Sequence, residues 1–222
     1  LVAAGINELN NSETVSELAK GIRSVADKFE VSVIGGDLSK SEKMTLSITA
    51  LGELSAQPIL RSGGRVGDLI YLSSLTGLSA AGLAILNRDL DRPRYVVEAH
   101  LNPKLVAPDK LIKVATSMCD VSDGLATDAA HLANASAVNF NLSKDLISKA
   151  DDFKDLAELA KELNEDVFDW ILTGGEDHFF LATVDKKNES NELGIKIGIV
   201  EKGDGKLLLD GIEVKESGYQ HF

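Results

Sequence analysis

The chain has 222 residues, of which 44% are hydrophobic and 26% are charged, a composition typical of a soluble globular protein that can bury a sizeable core. Its formal net charge is −12, so its surface repels a polyphosphate backbone and nucleic acid is not an expected partner. No apolar stretch approaches the roughly 18–20 residues that cross a bilayer, and the single cysteine, Cys119, is typical of a reducing cytoplasm.

Hydrophobic periodicity and turn residues predict helices and strands that alternate along the chain. The first element is a helix over residues 14–29, where the capping-box pair Thr14 and Glu17 comes with apolar residues at helical spacing. It is followed in order by strands 31–34 and 44–51, the second with one buried face, a glycine-rich loop 61–67, strand 68–73, and helices 79–87 and 109–118. The remaining predictions are a turn and helix over residues 120–135, strand 138–142, helix 155–163, and strands 179–184, 195–200 and 206–214. Such interleaving predicts an α/β or α+β fold.

The glycine-rich loop is the predicted domain boundary. It contains three glycines and two arginines, and we place the boundary after residue 66, which gives domains 1–66 and 67–222. The chain starts at Leu1 rather than at methionine, and its first seven residues are interpreted as the end of an element already under way. We therefore expect the first domain to be incomplete.

Three acidic turns follow predicted strands or apolar runs. They are Gly35-Gly36-Asp37, Asp120-Val121-Ser122-Asp123 and Gly174-Gly175-Glu176-Asp177. Glycines let a backbone approach a ligand closely, carboxylates bind magnesium, and a helix N-terminus attracts phosphate. The first and third can also be plain turns, an interpretation that a lone Gly-Gly-Asp favours, and the second can be a simple helix cap, so the residue patterns leave both interpretations open.

Arg61 is the natural phosphate partner among the basic residues, because a guanidinium can bind phosphate through two hydrogen bonds. Taken alone, it would be interpreted as a solvated surface arginine. The sequence has no Walker A loop, dinucleotide-binding fingerprint or zinc-ligand spacing, and nothing marks a serine or cysteine nucleophile. Acidic turns, glycines and an arginine together indicate phosphate chemistry by positioning and charge neutralisation, without a catalytic residue that forms a covalent intermediate.

Several stretches occur in an order that resembles the thiamine-monophosphate kinase family. The matching stretches are Ile34-Gly35-Gly36-Asp37, residues 45–52, Arg61-Ser62-Gly63 with Gly67-Asp68, residues 79–83, residues 120–125, residues 172–177 and the terminal Gly218-Tyr219-Gln220-His221-Phe222. Any one of them is common in proteins. Their order over residues 34–222 carries the resemblance.

The resemblance implies a two-domain fold shared with the aminoimidazole ribonucleotide synthetase-like superfamily. An N-terminal α/β domain would form the dimer and much of the ATP site, and a C-terminal mixed sheet with helices would complete the substrate site. The implied activity is ATP- and Mg²⁺-dependent phosphorylation of thiamine phosphate to thiamine diphosphate. The implied protein is a cytoplasmic enzyme, a homodimer when full length, that binds small molecules rather than nucleic acid or membrane.

The resemblance also implies roles for individual residues, carried over by position. ATP would contact Gly36, Asp37, Arg61 and Ser122; Mg²⁺ would bind to Asp37, Asp120 and Asp123; thiamine phosphate would contact Glu176 and Tyr219. The third turn continues with His178-Phe179-Phe180 where the family usually has Tyr-Glu-Leu, so contacts near the substrate are expected to differ.

The family begins with a region rich in glycine and aspartate, and nothing before Asn7 resembles it. The chain as given is therefore expected to be incomplete for activity. Two alternatives stay open. One is a sibling enzyme that activates another substrate with ATP, such as a hydrogenase-maturation protein or selenophosphate synthetase, against which the third turn and the terminal residues argue. The other is a non-catalytic nucleotide-binding module, against which the intact acidic turns argue.

Overall fold

The computed structural model describes residues 1–7, 12–54, 56–90 and 92–214. Within it the chain divides into two units, Leu1–Gln57 and Pro58–Phe222. The division lies ahead of the boundary that we predicted after residue 66. The glycine-rich loop belongs to the second unit because the Gly64 N–H donates to Ser136 Oγ (3.1 Å) and the Arg65 N–H donates to Asp68 Oδ2 (3.0 Å).

The described part of the first unit is a three-stranded sheet with one helix. Strand β1 (Val2–Ile6) is central, with β2 (Gly36–Lys40) parallel on one side and β3 (Thr45–Ile48) antiparallel on the other. Helix α1 (Ser12–Lys28) connects β1 to β2, as a parallel pair requires. The predicted helix over residues 14–29 is confirmed, although it begins at Ser12.

Two strand predictions in this unit were wrong in part. Residues 31–34 form no strand; the strand begins instead at Gly36, because this residue pairs with Val2 of β1. A Cβ on Gly36 would lie 1.8 Å from the Val2 carbonyl oxygen, which explains the glycine. β3 has no buried face, since its residues are exposed and α1 contributes no buried residue.

The second unit is built on a sheet that has seven strands within residues 58–90 and 92–214. The order across it is β10-β9-β6-β8-β4-β7-β5, and every neighbouring pair is antiparallel except β6 and β9. The strands are β4 (Leu69–Leu72), β5 (Ala115–Val121), β6 (Asn139–Leu142), β7 (Phe179–Val184), β8 (Ile195–Glu201), β9 (Leu207–Leu209) and β10 (Ile212–Glu213). This is the mixed sheet that the resemblance implied.

Helices cover one face of this sheet and form the main core with it. They are α2 (Leu78–Leu86), α3 (Arg94–Leu101), α4 (Leu125–Ser136), α5 (Lys144–Ile147), α6 (Phe153–Glu162) and α7 (Val167–Thr173). Ile70, Cys119 and Val121 face the helices, whereas Leu69 and Tyr71 belong to a smaller cluster on the opposite face. No helix in the described ranges is long and apolar enough to cross a membrane.

The helix predicted over residues 109–118 was wrong. Only Leu111–Lys113 forms a single 3₁₀ turn, and Ala115–Val121 forms β5, which pairs with β7 along its whole length. A partner distant in sequence therefore decided the conformation. Helix α3 was missed, because residues 94–101 lie in a segment that we interpreted as a polar connection.

Gly82 marks the closest approach of α2 and α3, and alanine there is expected to destabilise the second unit. An added Cβ would lie 2.1 Å from the Val96 carbonyl oxygen and 2.8 Å from His100 Cβ. We expect Gly82→Ala to lower the free energy of unfolding by about 1–3 kcal/mol, measured in denaturant by the fluorescence of the single, buried Trp170.

Gly21→Ala is the matched control for this substitution. Gly21 lies in helix α1 with no heavy atom within 4 Å of an added Cβ. Alanine there is expected to stabilise α1 by up to about 1 kcal/mol, which circular dichroism measures. Equal stability of Gly82→Ala and wild type would contradict the close packing of α2 on α3.

Candidate active site

The second acidic turn lies where β5 ends and α4 begins. Asp120 is exposed, and its neighbours Cys119 and Val121 are buried against the helices. Because side chains alternate along a strand, the Asp120 carboxylate lies on the opposite side of the sheet from the main core. Ser122 and Asp123 follow in the turn and are partly buried. The turn therefore presents two carboxylates at the end of an edge strand.

Asp128, in the first turn of α4, holds this acidic turn in place. Its Oδ2 accepts hydrogen bonds from the Ser122 N–H (3.1 Å) and the Asp123 N–H (3.2 Å). Burial raises the pKa of Asp128; these two hydrogen bonds oppose the rise, and the charges of Asp123 and Asp120 add to it. The N-cap of α4 is Gly124, and no side chain of the described residues caps it, so helix capping by Ser122 or Asp123 does not explain the acidic turn.

The third acidic turn packs directly on the second. The Glu176 N–H donates to the Ser122 carbonyl oxygen (2.9 Å), and the His178 N–H donates to the Val121 carbonyl oxygen (3.0 Å). A Cβ on Gly175 would lie 2.7 Å from the Ser122 carbonyl oxygen, so glycine lets the two turns approach. The structure thus brings Glu176 beside the residues of the second turn.

The backbone of the third turn adopts conformations that side chains rarely favour. Glu176 and His178 have φ values of 66° and 57°, and neither is glycine. The Glu176 carboxylate is exposed and lies 3.3 Å from His178 Nε2. Left-handed conformations of non-glycine residues cost free energy and cluster at ligand sites. Glu176 is accordingly fixed by its surroundings while its carboxylate stays accessible.

Asp177 has a different function from Glu176, although the two are adjacent. It is buried, and its carboxylate oxygens accept hydrogen bonds from the Gly77 N–H (2.6 Å) and the Ser79 N–H (3.0 Å) at the start of α2. The repulsion expected between neighbouring acids is avoided because Glu176 is in water and Asp177 caps a helix. Sequence reasoning missed this cap, since its partners are distant in the chain.

Arg61 lies apart from the two turns at the level of the backbone. Its carbonyl oxygen accepts a hydrogen bond from Ser136 Oγ (3.0 Å) at the C-terminal end of α4. Helix α4 has 12 residues and is about 18 Å long, and the acidic turn is at its other end. The Arg61 side chain is exposed. Burial raises the pKa of the Cys119 thiol on β5, the charge of Asp128 adds to the rise, and the charge of Arg61 opposes it.

The remaining predicted site residues belong to the first unit or lie outside the described residues. Gly36 and Asp37 belong to the first unit, where they are exposed at the start of β2. Tyr219 lies outside the described residues. Of the predicted set, the structure brings together Asp120, Ser122, Asp123 and Glu176.

The second turn fits a magnesium ion that is bound together with phosphate. In the described ranges, no three His, Cys, Asp or Glu side chains form a metal site on their own. Asp120 and Asp123, however, lie three positions apart in the same turn, and the described residues provide no ion-pair partner for either. Magnesium commonly takes one or two carboxylates and completes its coordination with phosphate oxygens and water. Both residues therefore suit that ion.

Comparison with known proteins identifies the family. The profile of the AIR synthase related protein N-terminal domain matches residues 1–54. The curated thiamine-monophosphate kinase from Aquifex aeolicus is 31% identical over an alignment that covers 91% of this chain and 67% of that protein. The one from Archaeoglobus fulgidus is 32% identical over 96% of this chain and 69% of that protein. The chain belongs to the thiamine-monophosphate kinase family.

The fold of this family member agrees with that assignment. The solved structure of AaThiL complexed with AMPPCP and TMP superimposes with a TM-score of 0.85 at 28% identity, over 100% of this chain and 72% of that one. The predicted aminoimidazole ribonucleotide synthetase-like fold is confirmed. The chain covers about two thirds of the length of the curated kinases that it matches.

The buried Asp177 is expected to make stability depend on pH. Burial raises its pKa to about 6, while the hydrogen bonds from Gly77 and Ser79 oppose the rise. The folded protein then binds more protons than the unfolded chain between about pH 4 and pH 6, so stability is highest below this window and falls as pH rises through it. The expected loss is on the order of 3 kcal/mol.

Asp177→Asn isolates this contribution from the other carboxylates. Asparagine cannot ionise, so the free energy of unfolding of wild type should fall relative to that of the variant as pH rises from about 4 to 7. Denaturant unfolding followed by Trp170 fluorescence measures both proteins at each pH. If the difference in free energy of unfolding between wild type and Asp177→Asn stays constant across this pH range, the raised pKa of Asp177 is contradicted.

Proposed function

We propose that the protein transfers the γ-phosphoryl group of ATP to thiamine phosphate, with thiamine diphosphate and ADP as products. The observation that carries the proposal is the pairing of Asp120 and Asp123 in a turn fixed by Asp128 and packed against Glu176. The relatives' name and a related structure that holds an ATP analogue and thiamine monophosphate support it.

The reaction is a direct transfer between two phosphate compounds. An oxygen of the thiamine phosphate group bonds to the γ-phosphorus while the bond from that phosphorus to the β,γ-bridging oxygen breaks and its electrons leave with ADP. A phosphate oxygen is largely ionised at neutral pH, so any proton that it carries passes to solvent and no catalytic base is needed. Positioning and charge neutralisation are what the protein must supply.

The proposed site is lined by carboxylates, and both substrates are anions. Carboxylates can bind such substrates only if cations accompany them. Mg²⁺, when bound, would neutralise the phosphate charges. Asp120 and Asp123 of the second unit would hold it, and Asp37 of the first unit is the third residue proposed to bind Mg²⁺. Asp128 would fix the geometry of the turn through the backbone of Ser122 and Asp123.

The remaining residues would bind the two substrates. Gly36, Arg61 and Ser122 would contact the nucleotide, with Arg61 neutralising phosphate charge. Glu176 and Tyr219 would contact thiamine phosphate. The packing of Glu176 on Ser122 would place acceptor and donor contacts next to each other, as an in-line transfer requires.

A chromatographic assay tests the proposal. The complete gene product that contains this chain is incubated with thiamine phosphate, ATP and Mg²⁺, with thiamine as the control acceptor. We expect thiamine diphosphate only from thiamine phosphate, and none without ATP or Mg²⁺. If folded, Mg²⁺-loaded protein gives no product, the kinase assignment is wrong and another ATP-dependent reaction of the superfamily takes its place.

A further inference from the structure

The loop that carries Arg61 lies along the edge of the seven-stranded sheet. β5 is the last strand in the sheet order, with β7 as its neighbour on one side. On the other side, the Met118 N–H donates to the Leu60 carbonyl oxygen (3.3 Å). A Cβ on Gly63 would lie 1.7 Å from the Thr116 carbonyl oxygen, so only glycine fits against the strand there. The loop therefore covers the edge that β5 would otherwise expose.

Asp68 attaches the end of this loop to the same strand. The residue is buried, and its Oδ2 accepts hydrogen bonds from the Arg65 N–H (3.0 Å) and from Thr116 Oγ1 (2.6 Å). Because Thr116 also lies against Gly63, one residue of β5 contacts two parts of the loop. The loop is thus held on β5 at both of its ends, at Leu60 and at Asp68.

Ser136, the last residue of α4, fixes the turn that contains Arg61 within this loop. Residues 61–63 form a 3₁₀ turn. The Ser136 hydroxyl donates to the Arg61 carbonyl oxygen (3.0 Å) and accepts a hydrogen bond from the Gly64 N–H (3.1 Å). A hydroxyl has one proton and two lone pairs, so it can make both bonds at once. One side chain of α4 therefore holds the turn at its start and at its end.

The opposite end of α4 is attached to the second acidic turn. Asp128, in the first turn of the helix, accepts hydrogen bonds from the N–H groups of Ser122 and Asp123. Most residues of α4 from Leu125 to Ala133 are buried. Close-packed interiors deform little, so the helix keeps its place between its two ends. α4 thus connects the turn that would hold Mg²⁺ with the loop that carries the arginine.

Arg61 is close enough to this turn for its side chain to reach phosphates bound there. Leu60, its neighbour, accepts the hydrogen bond from Met118, which precedes Asp120 by two residues in β5. Two residues of a strand span about 7 Å, a distance that an arginine side chain can cover. Burial raises the pKa of the Cys119 thiol, and the charge of Arg61 opposes this rise while that of Asp120 adds to it. Both charges therefore act on the same residue of β5.

We propose that Ser136 is a positioning residue for the nucleotide and that it acts through Arg61. The inference rests on the proposed function, in which Arg61 contacts ATP, and adds the residue that sets where this contact is made. With the hydroxyl in place, α4 holds the Arg61 backbone at a fixed distance from the second acidic turn, so that the guanidinium and Mg²⁺ meet the same triphosphate. Without it, the Arg61 carbonyl and the Gly64 N–H lose their shared partner, while Leu60 and Asp68 keep the loop on β5.

A double-mutant cycle on nucleotide binding by the complete gene product tests this inference. The probe is the ATP analogue AMPPCP, titrated calorimetrically in the presence of Mg²⁺. Ser136→Ala should weaken its binding by roughly fivefold and Arg61→Ala by roughly thirtyfold. The double variant should bind AMPPCP no more weakly than Arg61→Ala alone, because Ser136 acts only through the side chain that is then absent. Ser136→Thr keeps the hydroxyl and should bind like wild type.

Ser148→Ala is the matched control, because it removes a hydroxyl from the end of another helix. The Ser148 hydroxyl donates to the Lys144 carbonyl oxygen of α5 (2.7 Å), and its loss should leave AMPPCP binding unchanged. Steady-state kinetics adds a second measurement. Ser136→Ala should raise KM for ATP by the same factor and leave KM for thiamine phosphate unchanged, a difference that a general loss of stability does not produce.

The outcomes of these measurements separate the inference from the proposed function. An active kinase whose folded Ser136→Ala variant binds AMPPCP with wild-type affinity would overturn the inference and leave the function intact. The same holds if the effects of Ser136→Ala and Arg61→Ala simply multiply in the double variant. A protein that binds AMPPCP with the expected coupling but forms no thiamine diphosphate would overturn the function alone.

Discussion

Asp123→Asn is expected to lower kcat/KM for phosphoryl transfer by about a hundredfold to a thousandfold. Asparagine keeps the shape of the side chain and leaves the hydrogen bond from the Asp123 N–H to Asp128 in place, but it removes one of the two charges of the second acidic turn that would hold Mg²⁺. Asp120→Asn should have an effect of similar size. Initial rates of thiamine diphosphate formation over a range of Mg²⁺ concentrations measure both, and excess Mg²⁺ should restore part of the rate.

Asp145→Asn is the matched control for the loss of a carboxylate. Asp145 is exposed on α5, and its one ion-pair partner among the described residues is Lys149 on the surface, so loss of its charge should change neither rate nor stability measurably. Circular dichroism confirms that each variant is folded. A wild-type rate for Asp123→Asn at limiting Mg²⁺ would show that the second acidic turn does not hold the metal.

Asp128→Ala is expected to lower both stability and activity, because it releases the acidic turn. The substitution removes the shared acceptor of the Ser122 and Asp123 N–H groups, at a cost of about 2–4 kcal/mol. Denaturant unfolding with Trp170 as the probe measures the loss. The rate of thiamine diphosphate formation should fall as well, since Asp123 is no longer held in position.

Asp128→Asn separates the hydrogen bonds from the charge. Both N–H groups donate to a single oxygen of Asp128, so an amide oxygen in the same place can accept both. Burial raises the pKa of Asp128 and thus penalises its charge, so the asparagine variant should be at least as stable as wild type at neutral pH. Equal destabilisation by alanine and asparagine would contradict this account.

The sequence predicted correctly those elements whose amphipathic spacing or turn residues lie within the element itself. The amphipathic α1, the helix after the second acidic turn and the Asp210-Gly211 hairpin turn are confirmed, and the last has the positive φ values of 51° and 81° that its residues favour. Residues 115–118 of β5 were predicted as the end of a helix, because the strand conformation depends on pairing with β7, which the local sequence does not encode. Long-range pairing overrode the local period there.

The candidate site shows the same division between local and distant information. The acidic turns were visible as motifs. The different functions of Glu176 and Asp177 arise because only the Asp177 carboxylate accepts hydrogen bonds from the start of α2 in the described structure. Arg61 was singled out from the sequence as a cation that could bind phosphate. Its position near the C-terminal end of α4 depends on a hydrogen bond from Ser136 Oγ to its carbonyl oxygen, which the sequence does not show. Neither partner is near in sequence.

Helix α3 was missed although the sequence contains a signal for it. Residues 94–101 were interpreted as a polar connection, because arginine, proline and asparagine precede and follow them. Val96 and Val97 are nevertheless buried, and with Ala99 and His100 they fall at helical spacing. A search for a short amphipathic helix would have found α3.

The fate of the γ-phosphoryl group tests the central claim most directly. The complete gene product is incubated with thiamine phosphate, Mg²⁺ and ATP that carries ¹⁸O in its non-bridging γ-phosphate oxygens, and the products are identified by mass spectrometry. Direct transfer predicts thiamine diphosphate with the label in its terminal phosphate and unlabelled ADP. Label that appears only in inorganic phosphate, or in a product other than thiamine diphosphate, would contradict the proposed function.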